Sequence, residues 1–242
     1  MARGLPDFGV SAAKSALGGM ADVGELAARL GGLSRYDRLG DVIFFEDFGG
    51  NLGAWEIEKD GTGSAVAIST DRHVSGTGSC KMTGGSDGLG YAGIRGRFPV
   101  PFSVVYGVEL AWTMHDDGDY AVFGVDVYTG VYKISFAIKS DLVGLNNYYL
   151  DSAGGWTVIT PVGLALFNDH NFINAKFTFN ISTQTYSRFM VTPRSWDIKG
   201  KSGLVVPDAG LPRMEGWGRI YSQPTFNAYT YVDSIILTCN DV

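Results

Sequence analysis

Apolar and polar residues alternate with a period of two along most of the chain from residue 41 onward. The clearest case is residues 173–181, in which Ile173, Phe177 and Phe179 occupy alternate positions. Asn174 and Lys176 lie at intervening positions. Successive side chains of a β-strand point to opposite faces, so this alternation predicts a strand with one face in a core and the other in water.

Other segments with the same period bring the total to about a dozen predicted strands. A Tyr-Thr-Gly turn at residues 128–130 predicts a hairpin, whereas residues 199–215, punctuated by Gly and Pro, are expected to form a loop. No helical crossover separates the strands, which indicates an all-β, two-sheet antiparallel sandwich. The predicted strands are 42–48, 65–70, 79–83, 91–98, 104–114, 120–128, 131–138, 145–150, 156–159, 173–181, 186–192, 218–222 and 229–238.

Residues 1–40 have a different pattern and are predicted to be an N-terminal extended arm with one short helix, separate from a sandwich of residues 41–242. Asp22 and Glu25 have the spacing of a capping box, and the helix is expected over 23–30. So short a helix needs a surface to dock on. The arm could pack on its own domain or anchor the subunit to a neighbour, and the candidate anchor residues are Leu5, Phe8, Val23, Leu26 and Leu30.

The composition excludes several classes of partner. A net charge of −6 over 242 residues, with scattered Lys and Arg, gives no basic surface for nucleic acid. No apolar run is long enough for a membrane-spanning helix, and the first 30 residues lack the apolar core of a secretory signal. We therefore expect neither a nucleic-acid nor a membrane partner, and no export by the general secretory route.

Three segments resemble the β-jelly-roll carbohydrate-binding modules and the related concanavalin A-like lectin and glucanase sandwiches. They are the Phe-Glu-Asp-Phe segment at 45–48, the His-Val-Ser-Gly-Thr-Gly-Ser-Cys-Lys-Met-Thr segment at 73–83, and the Tyr-Val-Asp-Ser-Ile-Ile-Leu segment at 231–237. The resemblance spans residues 41 to 240 and implies a jelly-roll fold. In that fold Cys80 and Cys239 would lie on neighbouring strands, either as a disulfide or as two buried thiols.

The same resemblance implies a structural calcium ion beside the first and last strands, with the candidate ligands Glu46, Asp71, Ser75 and Asp233. Calcium takes six to eight oxygen ligands, which loops at strand ends can supply. The alternative is that Asp233 faces solvent and Glu46 pairs with an arginine. A second acidic segment, residues 115–119, is typical of a turn and is a weaker metal candidate.

Sugar rings stack on flat aromatic side chains while amides and acids bind their hydroxyls. The candidate carbohydrate-binding residues are Tyr148, Tyr149, Trp156, Asn146 and Asp151, with Trp196 and Trp217 as weaker candidates. Aromatic residues of a sandwich can equally belong to its core.

Catalysis is not expected. Glycoside hydrolysis needs two carboxyl groups facing one cleft, but Glu46 and Asp47 are adjacent and point to opposite faces, and Glu109 is a lone acid in an apolar strand. The histidines and cysteines lack the motifs of nucleophilic catalysis.

The arm-plus-sandwich layout without a secretory signal resembles the virion proteins of tailed bacteriophages. It implies a non-enzymatic structural protein on the virion surface, a capsid decoration or tail-associated subunit. Such a subunit would bind copies of itself or other virion proteins through residues 1–40, and its sandwich could bind surface glycans. The alternatives are a soluble, lectin-like carbohydrate-binding module and, ranked lower, a divergent glycoside hydrolase.

Overall fold

The computed structural model describes residues 40–241, except 75, 88–89, 99–102, 114–117, 142–145, 162–170, 192–193 and 224–226. These residues form strands and loops, and no helix lies among them. The strands are β1 Asp41–Glu46, β2 Trp55–Asp60, β3 Ala65–Ser69, β4 Ser79–Thr83, β5 Tyr91–Phe98, β6 Val105–Trp112, β7 Gly118–Tyr128, β8 Tyr132–Asp141, β9 Asn146–Leu150, β10 Trp156–Pro161, β11 Ile173–Asn180, β12 Thr185–Val191, β13 Arg194–Asp197, β14 Leu204–Pro207, β15 Arg213–Ser222 and β16 Tyr229–Cys239.

The strands form two antiparallel sheets of eight strands each. The first sheet has the order β13-β12-β11-β6-β16-β4-β3, and β1 also pairs with β16. The second has the order β10-β9-β8-β7-β15-β5-β2, and β14 also pairs with β8. The predicted two-sheet antiparallel sandwich is therefore confirmed. The predicted arm and helix, with Leu5, Phe8, Val23, Leu26 and Leu30, lie outside the described residues.

The core lies between the sheets and is built from the inward-facing positions of each strand. On β11 these are Ile173, Ala175, Phe177 and Phe179, as their alternation predicts. The intervening polar residues are buried too, so the expectation that the other face of β11 lies in water is wrong; they are Asn174, Lys176 and Thr178. Phe179 stacks on Phe136 of the second sheet with ring centroids 4.4 Å apart. Burial of such apolar surface is the main source of stability for a sandwich of this kind.

Tyr186 joins the two sheets by hydrogen bonds as well as by packing. It belongs to β12, and its hydroxyl accepts a hydrogen bond from the backbone amide of Ala137 on β8 at 2.8 Å. The hydroxyl donates to the carbonyl of Leu150 on β9 at 3.0 Å. Burial raises the pKa of this tyrosine far above its ordinary value, so the hydroxyl keeps its proton.

Glu109, the lone acid of the apolar strand β6, points to the outward face of the first sheet and has a partner. The Nζ atom of Lys176 lies 3.1 Å from Glu109 Oε1 and 2.6 Å from Asp241 Oδ2. All three side chains are almost fully buried. A buried carboxylate is retained in a fold when a cation and further polar groups compensate its desolvation, and Lys176 supplies the cation.

One expectation is wrong. Residues 199–215 contain β14 and the start of β15, because β14 pairs with β8 and has its Pro207 at the strand end. The cysteines are two free, buried thiols, which is one of the two arrangements expected for them. Cys80 pairs with Val232, whereas Cys239 lies at the opposite end of β16 and faces Asp41.

The periodicity also fails to predict β2 and β13. Both are edge strands, and β2 consists mainly of charged residues, so neither shows the apolar alternation of a strand with one buried face. Within the described part of the chain, no helix has the length and apolar character needed to cross a membrane.

Candidate ligand-binding face

The second sheet turns one face to the core and the other outward, and the outward positions carry aromatic and charged side chains. We call the outward side chains of β2, β5, β7, β8, β9, β10 and β15 the aromatic face. Cross-strand partners share a face, so the strand register shows which side chains are neighbours. One transverse row of the aromatic face consists of Glu58, Gly93, Arg219, Val122, Lys139 and Tyr148. Because neighbouring strands are spaced about 4.8 Å apart, this row is roughly 24 Å long.

Small residues near the middle of the sheet give large side chains room to lie along the face. Trp217 pairs with Gly124, and Gly124 pairs with Ala137 on the next strand. A Cβ atom on Gly124 would collide with the indole ring of Trp217, and a Cβ atom on Gly93 would collide with the side chain of Arg219. The absence of side chains at these glycines therefore places a tryptophan ring and a guanidinium group across the sheet surface.

Tyrosine rings form a second part of the aromatic face. Tyr120 and Tyr221 are stacked with centroids 4.5 Å apart, and Tyr91 lies 5.5 Å from Tyr221. All three rings are partly exposed. They lie on β7, β15 and β5, at directly paired positions of the three strands. The result is a line of rings that crosses the strands.

A third part of the face surrounds Lys139. The Nζ atom of Lys139 lies 4.2 Å from the ring centroid of Tyr148, 5.1 Å from that of Tyr120 and 5.6 Å from that of Trp156. A cation over the face of an aromatic ring is attracted by the ring quadrupole, so these contacts fix the ammonium group among three rings. The hydroxyl of Tyr148 donates to Asp141 Oδ2 at 3.4 Å, which helps to orient that ring.

An ion-pair network centred on Arg95 forms the other end of the face. The guanidinium of Arg95 contacts Glu58 at 2.9 Å, Asp126 at 3.3 Å and Glu215 at 3.2 Å. Arg213 binds Glu215 at 2.7 Å, and Arg219 binds Glu58 at 2.6 Å. A cleft of about 340 Å³ opens beside this network, lined by Ala54, Glu56, Arg95, Gly96, Arg97 and Glu215. The network fixes several donors and acceptors in place beside this opening.

The arginines keep the carboxylates of the network ionised. Burial alone would raise the pKa of Glu58, but hydrogen bonds and charge from Arg219 and Arg95 outweigh it and hold the pKa below its ordinary value. The pKa of Glu215 is lowered in the same way, since Arg213 and Arg95 outweigh the effect of burial. These acids are hydrogen-bond acceptors at neutral pH and lack the proton that a general acid needs.

Three of the five main sequence-predicted carbohydrate-binding residues lie on the aromatic face, namely Tyr148, Trp156 and Asn146, and so does the weaker candidate Trp217. Tyr149 does not, because it is adjacent to Tyr148 and therefore faces the core, where it packs edge-on against Tyr186 and is 8% exposed. Its prediction as a binding platform is wrong.

Asp151 belongs to the turn between β9 and β10. Its carboxylate accepts hydrogen bonds from the amides of Gly155 and Ala153 and from the hydroxyl of Thr157, each at 2.9 Å. The backbone hydrogen bond from Gly155 contributes most to lowering the pKa of this carboxyl. These contacts are those of a turn-forming residue, and Asp151 stays only a predicted ligand contact.

Several residues of the face are absent from the sequence-predicted set, and the signal that could reveal them is their alternation with small or apolar residues. In β15, Arg219 and Tyr221 alternate with Gly218 and Ile220, in step with the weaker candidate Trp217. The pairing of Tyr221 with Tyr120 and of Arg219 with Val122 depends on strand register, which the sequence does not state.

The predicted metal ligands are placed as follows. Glu46 accepts hydrogen bonds from the amide of Phe48 at 2.9 Å and from the indole of Trp55 at 3.1 Å. Asp233 is fully buried and accepts a hydrogen bond from the amide of Val74 at 2.6 Å, so the expectation that it faces solvent is wrong. Of the side chains that the structure describes, Glu46 binds the indole of Trp55 and no arginine. Asp71 is exposed, and Ser75 lies outside the described residues.

These contacts do not form a calcium cage. Among the residues that the structure describes, no group of three or more His, Cys, Asp or Glu side chains is placed to hold a metal ion. Glu46 and Asp233 instead fix the loops next to β1 and β16 by binding protein N–H groups. Residues 115–117 of the acidic segment lie outside the described residues, as does the side chain of Asp119. A structural calcium ion stays a prediction.

The fold resembles a cellulose-induced protein and two lectin structures. The cellulose-induced protein Cip1 matches with a TM-score of 0.53 and 15% identity, over 82% of this chain and 98% of Cip1. Lectin II from Ulex europaeus matches with a TM-score of 0.51 and 11% identity, over 83% of this chain and 99% of the lectin. The lectin UEA-II complexed with galactose gives the same values of 0.51, 11%, 83% and 99%. The chain thus has a lectin-like sandwich fold, which confirms the resemblance at the level of fold.

No protein-family model matches the amino-acid sequence. No curated protein matches it significantly.

Proposed function

We propose that this chain is a non-enzymatic carbohydrate-binding protein whose ligand lies on the aromatic face. The observation that supports this function best is the set of partly exposed aromatic rings on one outward sheet face, with Trp217 spread across Gly124 near its centre. The apolar faces of sugar rings stack on such side chains, and their hydroxyls bind to nearby fixed polar groups. Arg95, Glu58 and Glu215 are polar groups of this kind.

The dimensions of the face support an extended ligand. The rings and charged groups are spread over a row of roughly 24 Å that crosses the strands, which exceeds the size of one sugar ring. The proposed ligand is therefore a stretch of a polysaccharide that runs across β9, β8, β7, β15 and β5. The lectin-like fold of the chain is compatible with this function, and one lectin of similar fold is complexed with galactose.

The electrostatics of the face favour binding over hydrolysis. Glycoside hydrolysis requires one carboxylic acid that is protonated at working pH. Glu58 and Glu215 have lowered pKa values because of their arginine partners, so both are acceptors for sugar hydroxyls. The lowered pKa values of Glu58 and Glu215 support the non-enzymatic role that we propose.

The experiment is a binding titration of the full-length protein against a panel of soluble polysaccharides by affinity electrophoresis and calorimetry. Replacing Trp217 or Tyr148 with Ala removes a ring from the face and is expected to weaken binding by about 10-fold or more. The matched control is Tyr132→Ala, since Tyr132 is 44% exposed and lies at the opposite end of β8 from Lys139. Unchanged binding in both face variants would refute the proposed site.

The virion structural role remains a separate prediction. It depends on residues 1–40, and of these only Gly40 is among the described residues. Deleting residues 1–39 tests it: the truncated chain should keep its glycan affinity and lose its attachment to a particle. A truncated chain that still joins the particle would contradict the anchor. Location on the virion surface and self-association through residues 1–40 are likewise predictions.

A further inference from the structure

The basic side chains of the aromatic face differ in what neutralises them. Arg95, Arg213 and Arg219 each contact at least one carboxylate at 2.6 to 3.3 Å. Lys139 has no carboxylate within ion-pair distance in the part of the chain that the structure describes, and its contacts are the rings of Tyr148, Tyr120 and Trp156. An ion pair cancels the charge of a cation, whereas an aromatic ring holds the cation in place and leaves its net charge intact.

We infer that Lys139 is a subsite for a negatively charged substituent on a sugar ring, such as a carboxylate or a sulfate. This inference rests on the proposed function, because it names the kind of sugar that the aromatic face selects. Three aromatic rings frame the ammonium group, so a sugar stacked on Tyr148 or Trp156 would bring its substituent to Lys139. The rings exclude water from part of the ammonium group, which strengthens its attraction for an anion.

The side chains around Lys139 restrict the proposed anionic subsite to this one residue. The nearest acid on its own strand is Asp141, two positions away on the same face, and Asp141 Oδ2 accepts a hydrogen bond from the hydroxyl of Tyr148. The side chains paired with Lys139 across the strands, Val122 and Tyr148, carry no charge. The whole chain carries a net charge of −6, so general attraction of an anionic polymer to the protein cannot substitute for a specific contact.

The experiment uses the full-length protein and two matched pairs of polymers. One pair is polygalacturonate and its carboxyl-reduced neutral form, and the other is dextran sulfate and dextran. The wild type is expected to bind the charged member of at least one pair about 10-fold more tightly, because a charge-assisted contact is stronger than a neutral one. The pair that shows the preference identifies the substituent as a carboxylate or a sulfate.

Variants at Lys139 assign the preference to this side chain. Lys139→Gln is expected to bind both members of the pair equally, because the charged substituent loses its positively charged partner, whatever the change in affinity for the neutral polymer. Lys139→Arg should retain the preference, because it keeps the charge and can stack on the same rings. The matched control is Lys201→Gln, which removes one exposed positive charge from a loop away from the face. Near-ultraviolet circular dichroism would show that the aromatic rings keep their packing.

The outcomes separate the two proposals. Equal binding of charged and neutral polymers by the wild type, weakened by Trp217→Ala, would refute the anionic subsite and leave carbohydrate binding standing. A preference that persists in Lys139→Gln would also refute it. Absence of binding to all four polymers would overturn both.

Discussion

The indole ring of Trp217 lies over the backbone of Gly124, where a Cβ atom would stand 2.6 Å from a ring carbon. Real Cβ atoms do not approach this closely, so the ring can keep its place only while residue 124 is glycine. The proposed binding platform on β15 thus depends on a residue of the neighbouring strand β7 that has no side chain of its own.

Gly124→Val is expected to displace the ring and weaken glycan binding by about 10-fold or more, at a stability cost of about 1–3 kcal/mol for the overpacked site. Calorimetric titration and thermal unfolding measure the two effects. Gly50→Val is the matched control, because a Cβ atom at Gly50 would meet nothing within 4 Å. A folded Gly124→Val protein with wild-type affinity would show that Trp217 is not the platform.

Tyr186→Phe removes the hydroxyl that binds Ala137 and Leu150 of the opposite sheet. It leaves a buried N–H and a buried carbonyl without that partner, so the free energy of unfolding should fall by about 1–3 kcal/mol. Guanidinium unfolding monitored by fluorescence measures this change. Tyr132→Phe removes the hydroxyl of a tyrosine that is 44% exposed, and it should leave stability nearly unchanged. Equal effects in the two variants would mean that the inter-sheet hydrogen bonds contribute little.

The ion-pair network makes stability depend on pH below neutrality. The pKa values of Glu58 and Glu215 in the folded protein lie below the ordinary value of 4.5, which describes the unfolded chain. As pH falls below about 4.5, the unfolded chain binds more protons than the folded one, and unfolding becomes more favourable. The stabilisation is therefore complete above that pH and is lost as pH falls through the lower folded-state pKa values.

Glu215→Gln should reduce the slope of unfolding free energy against pH in this acidic range, as measured by urea unfolding at a series of pH values. Glu56→Gln serves as the control, since Glu56 is exposed and makes no ion pair within the described residues. If the two variants change the slope equally, Glu215 does not gain its low pKa from the arginines.

Both cysteines should be unreactive in the folded protein. Burial, together with the charge of Glu46, raises the pKa of Cys80 to about 12. Burial, together with the charge of Asp41, also raises the pKa of Cys239. Since the thiolate is the reactive form, an aromatic disulfide reagent at mildly alkaline pH should modify neither thiol until guanidinium unfolds the chain. It should then titrate 2 thiols, because the structure contains no disulfide. Recovery of fewer thiols from the unfolded, unreduced protein would reveal a bridge.

The sequence predicts well where one strand alone contains the information. The inward positions of β11 follow directly from the alternation of Phe177 and Phe179 with polar residues. Tyr148 and Trp156 are predicted as carbohydrate-binding residues, and both lie on the aromatic face. Tyr149 cannot share that face with Tyr148, because neighbours along a strand point to opposite faces.

The remainder of the candidate site depends on pairing between strands far apart in the sequence. Arg95 meets Glu215 and Asp126 because β5, β15 and β7 are neighbours in this register, and a shift by one residue would turn them to opposite faces. Residues 204–207 form a strand for a similar reason, since β8 offers them a partner despite the surrounding Gly and Pro.

The contact between Glu58 and Arg219 joins residues that are 161 positions apart in the chain. The aromatic face takes side chains from strands at both ends of the sandwich sequence, so no contiguous fragment contains it, and it comes into existence only as the whole second sheet closes. Contacts of such long sequence separation are slow to form during folding. A sugar bound to this face would hold early and late segments of the chain together, and would therefore protect the entire domain against unfolding and proteolysis.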